Sequence, residues 1–595
     1  MATSPIPVVA VVRLRHWLLR RERAGWLRSG PGATIVTTRD YEGDRDSMPG
    51  IDGHLDSRQR AGARFARRTR FVALVGGLTA TLALGPVPLA TAQPAPGDGL
   101  RWGSCPAEYE LDPASDQCAS VTVPRNYADP AAGTIDVLVT RHRAEDPGSR
   151  RGVLFTNPGG PGGDAIGSNS MFVEILPDAV RTQWDVIGVQ PRGLPYAGAV
   201  ECVLAPEQTT AMSLGFGGAA TRNACESAAP GTTAHLTTEN TAKDWEQVRL
   251  ALGEDVIDIY GLSYGTILGS TYATLFPQHT GRMVLDSAVD QKWLWNDVLW
   301  QQNDGYKDRF YDLMDWIAAH DDTYGLGETP LKVYQRWSNR IVEEAGGNPT
   351  LAPPPAQIGD VPPGLQAAAD AYRGGVDLTG PARVQFEAFV RRLADPSHAQ
   401  MSSSIYVMTR QVLPARNSWP LMARVIRDGR DAIPDGTTMD DLTEQEYERI
   451  AQAQMMQSLV LCNENNVAAR PDRIPGWLFS TLVTGDLFDL IGYSYSAGPE
   501  CTGAPPVVAL PTLSNRGLAT APLVLQGMRD PQTPYQGGVQ LAHDMGAHLV
   551  TVEGGDHGAG IQGGNVVVDQ TVTEYLETGR TAVTHTPEAP ITAPL

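Results

Sequence analysis

Cysteine is scarce in this chain, with six among 595 residues. No cysteine spacing resembles a zinc site and H-E-x-x-H is absent, so no metal is expected. No G-K-[ST] completes a phosphate-cradling loop, which argues against a Walker-type nucleotide enzyme. No cofactor is expected on other grounds either. Charged residues make up only 19%, and the basic ones are the minority, 47 against 67 acidic, for a formal net charge of -20. The imbalance is sharper than the total. Residues 1–70 hold 14 Arg, no Lys and 7 acidic residues, and residues 71–92 carry no charge, so residues 93–595 net -27. A body this acidic repels nucleic acid and anionic membrane surfaces. Hydrophobic content of 42% reads as globular, and the length suggests more than one core.

Long apolar runs are missing too. The best one, Phe71 to Leu84, is short for a membrane span, and Pro86 and Pro88 interrupt its continuation. It follows a basic run, Arg58 to Arg70, and leads to Ala90-Thr91-Ala92 before Gln93. That is the pattern of a signal peptide, predicted over 58–92 with cleavage near Ala92-Gln93 and export of the mature chain. No cysteine ends the apolar segment, which argues against a lipoprotein, and Arg67-Arg68 fits a twin-arginine signal poorly. Residues 1–57 stand before the signal, where targeting sequences normally begin. They are expected to be a non-structural upstream extension, with translation starting near Met48.

All six cysteines lie beyond the cleavage site: Cys105, Cys118, Cys202, Cys225, Cys462 and Cys501. An even count in an exported chain suggests disulfides, although six allow about 15 connectivities. Nearest-neighbour pairing is the expectation, since each such pair closes a local loop; buried free thiols are the alternative.

From about Thr134 short apolar runs alternate with helical patterns, as in a mainly parallel sheet. Strands are predicted at Ile135–Val139, Gly152–Thr156, Trp184–Val189, Val256–Tyr260, Met283–Leu285, Pro522–Gln526 and His548–Val552. Asn240 to Leu252 is apolar at helical spacing and ends at Gly253. The alternation stops at about residue 290. Residues 290–505 are rich in aromatic and helical segments with Pro/Gly connectors, and Trp293, Trp295, Trp300 and Trp316 open them.

Gly261-Leu262-Ser263-Tyr264-Gly265 sits between a predicted strand and a predicted helix. G-x-S-x-G in that context is the nucleophile elbow of α/β-hydrolases, a turn tight enough to lift the serine hydroxyl above the sheet edge. With 62 glycines in the chain the bare motif carries little, so its context decides. In this fold the acid and the histidine follow the serine. Asp530 stands after the strand ending at Gln526, and His557 after the strand ending at Val552. Both therefore fall at the sheet edge that carries Ser263. Asp286 is the runner-up acid; His543 and His548 are the competing histidines, and Asp556 adjoins His557 too closely to orient it. Asn157-Pro-Gly-Gly-Pro-Gly-Gly163 follows a strand where backbone amides can face a developing oxyanion. Gly160 and Tyr264 are the expected N–H donors.

These motifs resemble the secreted tripeptidyl aminopeptidase family of α/β-hydrolases, relatives of proline iminopeptidase. The resemblance is carried by the G-G-P-G-G loop, Gln190-Pro-Arg-Gly193, Asn240-Thr-Ala-Lys-Asp244, G-L-S-Y-G-T with Phe276-Pro277, and Arg282-Met-Val-Leu-Asp286. Trp419-Pro420, Leu461-Cys-Asn-Glu464, Asp530-Pro-Gln-Thr-Pro534 and Gly555-Asp-His-Gly558 continue it in collinear order. Departures mark a divergent member. Gln190 stands for the usual Asp, Asp164 for Ser or Ala, and two family cysteines are missing, near Tyr324 and near Val566–Val568.

The resemblance implies a serine exopeptidase acting on peptides with free N-termini, with an esterase or lipase-like hydrolase on the same fold as the alternative. It places recognition of the α-ammonium in a cap, where Glu464 is the candidate anchor and Asp164 a second. The expected architecture is an α/β-hydrolase fold, a mostly parallel sheet flanked by helices, with a large helical cap between the serine and the acid. Residues 93–289 and 506–580 would form the core, 290–505 the cap, and 581–595 a disordered tail. A monomer with no stable membrane anchor and no nucleic-acid partner is expected.

Overall fold

The computed structural model describes residues 99–593 apart from Glu110, Glu201, 396–399, 434–442 and Gly563. The upstream extension, the signal peptide and its cleavage site lie outside the described residues. No helix among the described residues is long and apolar enough to cross a membrane.

Among the described residues, nine strands form one sheet in the order β1-β2-β4-β3-β5-β6-β7-β8-β9. They are β1 (Asp116–Pro124), β2 (Thr134–His142), β3 (Gly152–Asn157), β4 (Trp184–Val189), β5 (Ile257–Leu262), β6 (Thr280–Asp286), β7 (Leu523–Gly527), β8 (His548–Val552) and β9 (His585–Thr586). β1 and β2 are antiparallel, β2 pairs antiparallel with β4, and every pairing from β4 to β9 is parallel. This is the expected α/β-hydrolase architecture. Each predicted strand is present, extended by a residue or a few in several cases. β1 was not anticipated: its run Asp116-Gln-Cys-Ala-Ser-Val-Thr-Val-Pro124 interleaves polar residues on the exposed side of a sheet edge.

The parallel strands are apolar because both of their faces are covered. Successive residues alternate between two cores, as a two-residue period requires. In β5, Ile257 and Ile259 join Trp245, Ile267 and Tyr272 on one face. Tyr260 and Leu262 join Phe172, Val572 and Tyr575 on the other.

The expectation for the last residues is corrected. Residues 581–595 include β9, which pairs with β8, and Glu588, whose carboxylate meets Arg309 and Arg416. The Thr/Pro-rich composition suggested disorder, but two ladder residues and a partly buried ion cluster at Glu588 tie down residues 585–588.

The insertion between β6 and β7 is helical and has its own core around Phe310, Leu313, Trp337, Tyr406, Trp419 and Phe488. It does not stand apart from the sheet. Met456, Leu459, Val460, Leu461, Ile491 and Tyr495 pack into the same core as β5 and its helices. Disulfides join Cys105 to Cys118, Cys202 to Cys225 and Cys462 to Cys501, the nearest-neighbour pattern.

Candidate active site

Ser263 links β5 to the helix Tyr264–Leu275 with φ 57° and ψ -122°. That left-handed conformation is costly for a residue with a side chain and survives only where neighbours enforce it. The flanking glycines allow it. A Cβ on Gly261 would stand 2.3 Å from the Gly265 carbonyl oxygen, and one on Gly265 would stand 2.7 Å from Asn157 O. The Ser263 amide donates to Asp286 O at 2.9 Å, and the Ser263 carbonyl accepts from Thr266 Oγ1 at 2.6 Å.

Asp530 and His557 leave β7 and β8 at the same edge of the sheet. His557 Nδ1 donates to both carboxylate oxygens of Asp530, at 2.9 and 3.1 Å. That leaves Nε2 as the ring nitrogen available to a serine. Asp530 is buried, and burial alone would raise its pKa. The charge and hydrogen bond of His557, the amide of Thr533 and the hydroxyl of Ser287 outweigh that, holding the carboxyl below its ordinary range. Gln532 N at 2.8 Å, Thr533 N at 3.0 Å and Thr533 Oγ1 at 2.8 Å fix its plane. The two residues read from the sequence as candidate acid and base are thus hydrogen-bonded to each other.

The runner-up acid has another task. Asp286 is fully buried, accepting from Ala559 N at 2.8 Å, Gly560 N at 2.9 Å and Tyr260 OH at 2.9 Å. Burial pushes it up to about 6, against those hydrogen bonds and the charge of His557. Next to it, Ser287 Oγ accepts the amide of Gly558 at 2.7 Å. Sequence reading missed Ser287, which follows a strand end and belongs to no recognised motif. Asp556 turns from the imidazole toward Arg309 and the amide of Arg416. His543 is exposed beside Asp544, and His548 Nε2 donates to Val583 O at 2.6 Å.

The glycine loop lies against the elbow. A Cβ on Gly159 would approach Ser263 Cβ to 2.9 Å and Tyr264 N to 3.3 Å, so only glycine permits the contact. The backbone of Gly159 is thereby brought against Ser263 and the amide of Tyr264. Asn157 Oδ1 accepts Gly159 N at 3.0 Å, and Gln457 Nε2, from the helix Glu444–Glu464, donates to Gly160 O at 2.7 Å. Gln457 carries no motif signal, because its role depends on a contact 297 residues away.

Neither substrate-binding candidate is an exposed carboxylate. Asp164 caps the helix Ala165–Ile175, accepting from Ile166 N and Gly167 N, and takes the Tyr109 hydroxyl at 2.7 Å on its other oxygen. Both of its oxygens thus accept hydrogen bonds from within the chain, at the helix start and from Tyr109. Glu464 is buried, accepting from Thr238 N at 2.5 Å and Thr238 Oγ1 at 2.8 Å. That hydroxyl also bonds to Tyr264 OH at 2.8 Å, so Glu464 sits one residue behind the nucleophile's neighbour. Burial raises it to about 7, opposed by the Thr238 hydrogen bonds and reinforced by the like charge of Glu239.

Three further motif residues are architectural. Arg192 and Asp244 form a fully buried bidentate pair, at 2.8 Å and 2.5 Å, with Tyr127 OH on the same carboxylate at 2.7 Å. Gln190, standing where the family has Asp, accepts Ala165 N at 2.9 Å and donates to Pro195 O at 3.0 Å. Its amide supports the start of the helix behind the glycine loop.

Residues 152–350 match the alpha/beta hydrolase fold family, and residues 489–587 match the TAP-like protein family. The chain is 34% identical to the tripeptidyl aminopeptidase of Streptomyces lividans over 40% of this chain and 48% of that protein. It thus spans about half the length of that relative. Longer matches run at lower identity. The serine protease Hip1 of Mycobacterium tuberculosis is 25% identical over 82% of this chain and 91% of that protein. Carboxylesterase B of the same organism is 28% identical over 86% and 95%. The chain is a divergent member of the tripeptidyl-aminopeptidase-like family of α/β-hydrolases.

Proposed function

We propose that this protein is an exported serine aminopeptidase that releases short units, tripeptides or dipeptides, from peptide N-termini through an acyl-enzyme. The observation that carries the reading is the Asp530–His557 pair, hydrogen-bonded at 2.9 Å at the sheet edge where the strained elbow presents Ser263. In this reading His557 Nε2 takes the proton from Ser263 Oγ as it attacks the substrate carbonyl. Asp530 holds the imidazole in the tautomer with its proton on Nδ1 and stabilises the imidazolium. The amides of Gly160 and Tyr264 receive the oxyanion. The imidazolium then protonates the leaving amine, and water, deprotonated by the same nitrogen, hydrolyses the acyl ester.

Glu464 supports the exopeptidase part. A buried carboxylate raised to about 7, with the like charge of Glu239 nearby and no ion pair among the described residues, lacks the cation that an α-ammonium would supply. The aminopeptidase relative supports peptides with free N-termini as substrates. The carboxylesterase relative keeps ester hydrolysis as the second reading, since the same triad serves both. Three disulfides and the A-x-A site before Gln93 support export.

A panel of tripeptide and dipeptide anilides, with free and acetylated N-termini, beside p-nitrophenyl esters tests the assignment. Turnover of free tripeptide or dipeptide anilides, lost on acetylation, is expected. Hydrolysis of the esters alone would favour the esterase.

A further inference from the structure

The loop Gly554–Gly560, which carries His557, is held residue by residue from two sides. From the core, Ser287 accepts Gly558 N, and Asp286 accepts Ala559 N and Gly560 N. From the cap, Pro414 O accepts His557 N at 2.9 Å. Asp556 Oδ1 accepts Arg309 Nη2 at 3.1 Å and the Arg416 amide at 2.8 Å. Glu588, just past β9, closes the cluster. Its Oε1 accepts Gly555 N at 3.3 Å and Arg309 Nη2 at 3.3 Å, and its other oxygen pairs with the Arg416 guanidinium.

Arg309 is the hub. It is only 2% exposed, lies on the helix Asn296–Ala319, and also donates from Nε to Leu413 O at 3.2 Å and pairs through Nη1 with Asp312 at 3.4 Å. Its guanidinium covers the Trp419 ring at 4.5 Å from the centroid. A buried cation is tolerable only when its N–H groups are matched, and here the matching groups come from the cap, the histidine loop and the C-terminal stretch.

We propose that Arg309, acting through Asp556, is a positioning residue for His557, with Arg416 and Glu588 closing the clasp, so that the cap sets the place of the base as well as covering the cleft. The proposal rests on the reading of His557 as the general base. The charged groups on or against the loop that carries this imidazole are Asp530 and Asp286 from the core, Asp556 on the loop, Arg309 and Arg416 from the cap, and Glu588 beyond β9. Displacing a reacting group by about 1 Å costs on the order of 100-fold, so a loosened clasp is read in kcat.

The test compares Arg309→Met and Asp556→Asn in the full chain, on a free tripeptide anilide. Each is expected to lower kcat by about 10- to 100-fold while KM stays within about threefold. The acid limb of kcat/KM should move to higher pH in Arg309→Met, which removes a positive charge, and to lower pH in Asp556→Asn, which removes a negative one. A role confined to stability does not move the two limbs in opposite directions. Unchanged kcat, or limbs that stay put or shift together, would overturn the clasp. If Arg309→Met fails to fold, Glu588→Gln takes its place, with a several-fold loss of kcat and a limb moved to lower pH. Fluorophosphonate labelling of the wild type at Ser263 separates the two claims. Its absence overturns the triad, whereas labelling with normal kcat in both variants overturns only the clasp.

Discussion

Ser263 and Asp286 are joined by a backbone hydrogen bond of 2.9 Å, from the amide of the serine to the carbonyl of the aspartate. The side chain of the same aspartate collects the amides of Ala559 and Gly560, two and three residues past His557. One residue at the end of β6 therefore spans the candidate nucleophile and the candidate base. The two acids at this edge divide the work: Asp530 orients the imidazole, and Asp286 ties its loop to the elbow.

That division is separable by mutation. Asp530→Asn should lower kcat by about 10⁴-fold at little cost in folding, because the imidazole is left in the wrong tautomer. Asp286→Asn replaces one acceptor oxygen with an amide that cannot accept. It should cost about 1–3 kcal/mol of stability, with a smaller loss of kcat. Steady-state kinetics and urea unfolding check both. The reverse ranking on kcat would hand the acid's role to Asp286.

Gln457→Ala removes the donor on Gly160 O. A loss of about 10-fold in kcat with KM preserved is expected, because the oxyanion loop loses its tether to the cap. If kcat is unchanged, the loop is held by its own turn and Asn157 alone.

Glu464→Gln should raise KM for free-N-terminus peptides at least about 10-fold while leaving neutral esters within about twofold. Equal effects on both substrates would remove Glu464 from ammonium recognition.

Stability should rise as the pH falls from about 8 to about 6. Burial raises Glu464 and Glu500 to about 7 and Asp286 to about 6 in the folded chain, from ordinary values of 4.5, 4.5 and 3.8. The folded state therefore holds protons in this window that the unfolded chain has released. The stabilisation is complete below the unfolded values and is lost as the pH rises through 6 to 7, by at most about 3 kcal/mol per group. Melting temperature against pH checks the slope, which Glu464→Gln should flatten. A melting temperature that climbs steadily from pH 6 to 8 contradicts it.

Much of this site was legible in the sequence because its main chemistry lies at strand ends. Ser263, Asp530 and His557 each follow an apolar run that β5, β7 or β8 realises, and chain order supplied their roles. What escaped depends on contacts between distant segments. Gln457, Ser287 and Arg309 belong to no local pattern, and nothing local showed that the helix start and Tyr109 would each take one oxygen of Asp164. Glu588 was hidden by a composition that suggested disorder. The motif residues Arg192 and Asp244 form a buried pair. Removing one partner of it should cost about 3–5 kcal/mol of stability.

The most direct test is active-site titration with a fluorophosphonate, followed by peptide mapping. One label per chain is expected, on Ser263, that disappears in Ser263→Ala and forms much more slowly in His557→Ala and Asp530→Asn. Labelling at another residue, or at full rate in His557→Ala, would contradict it.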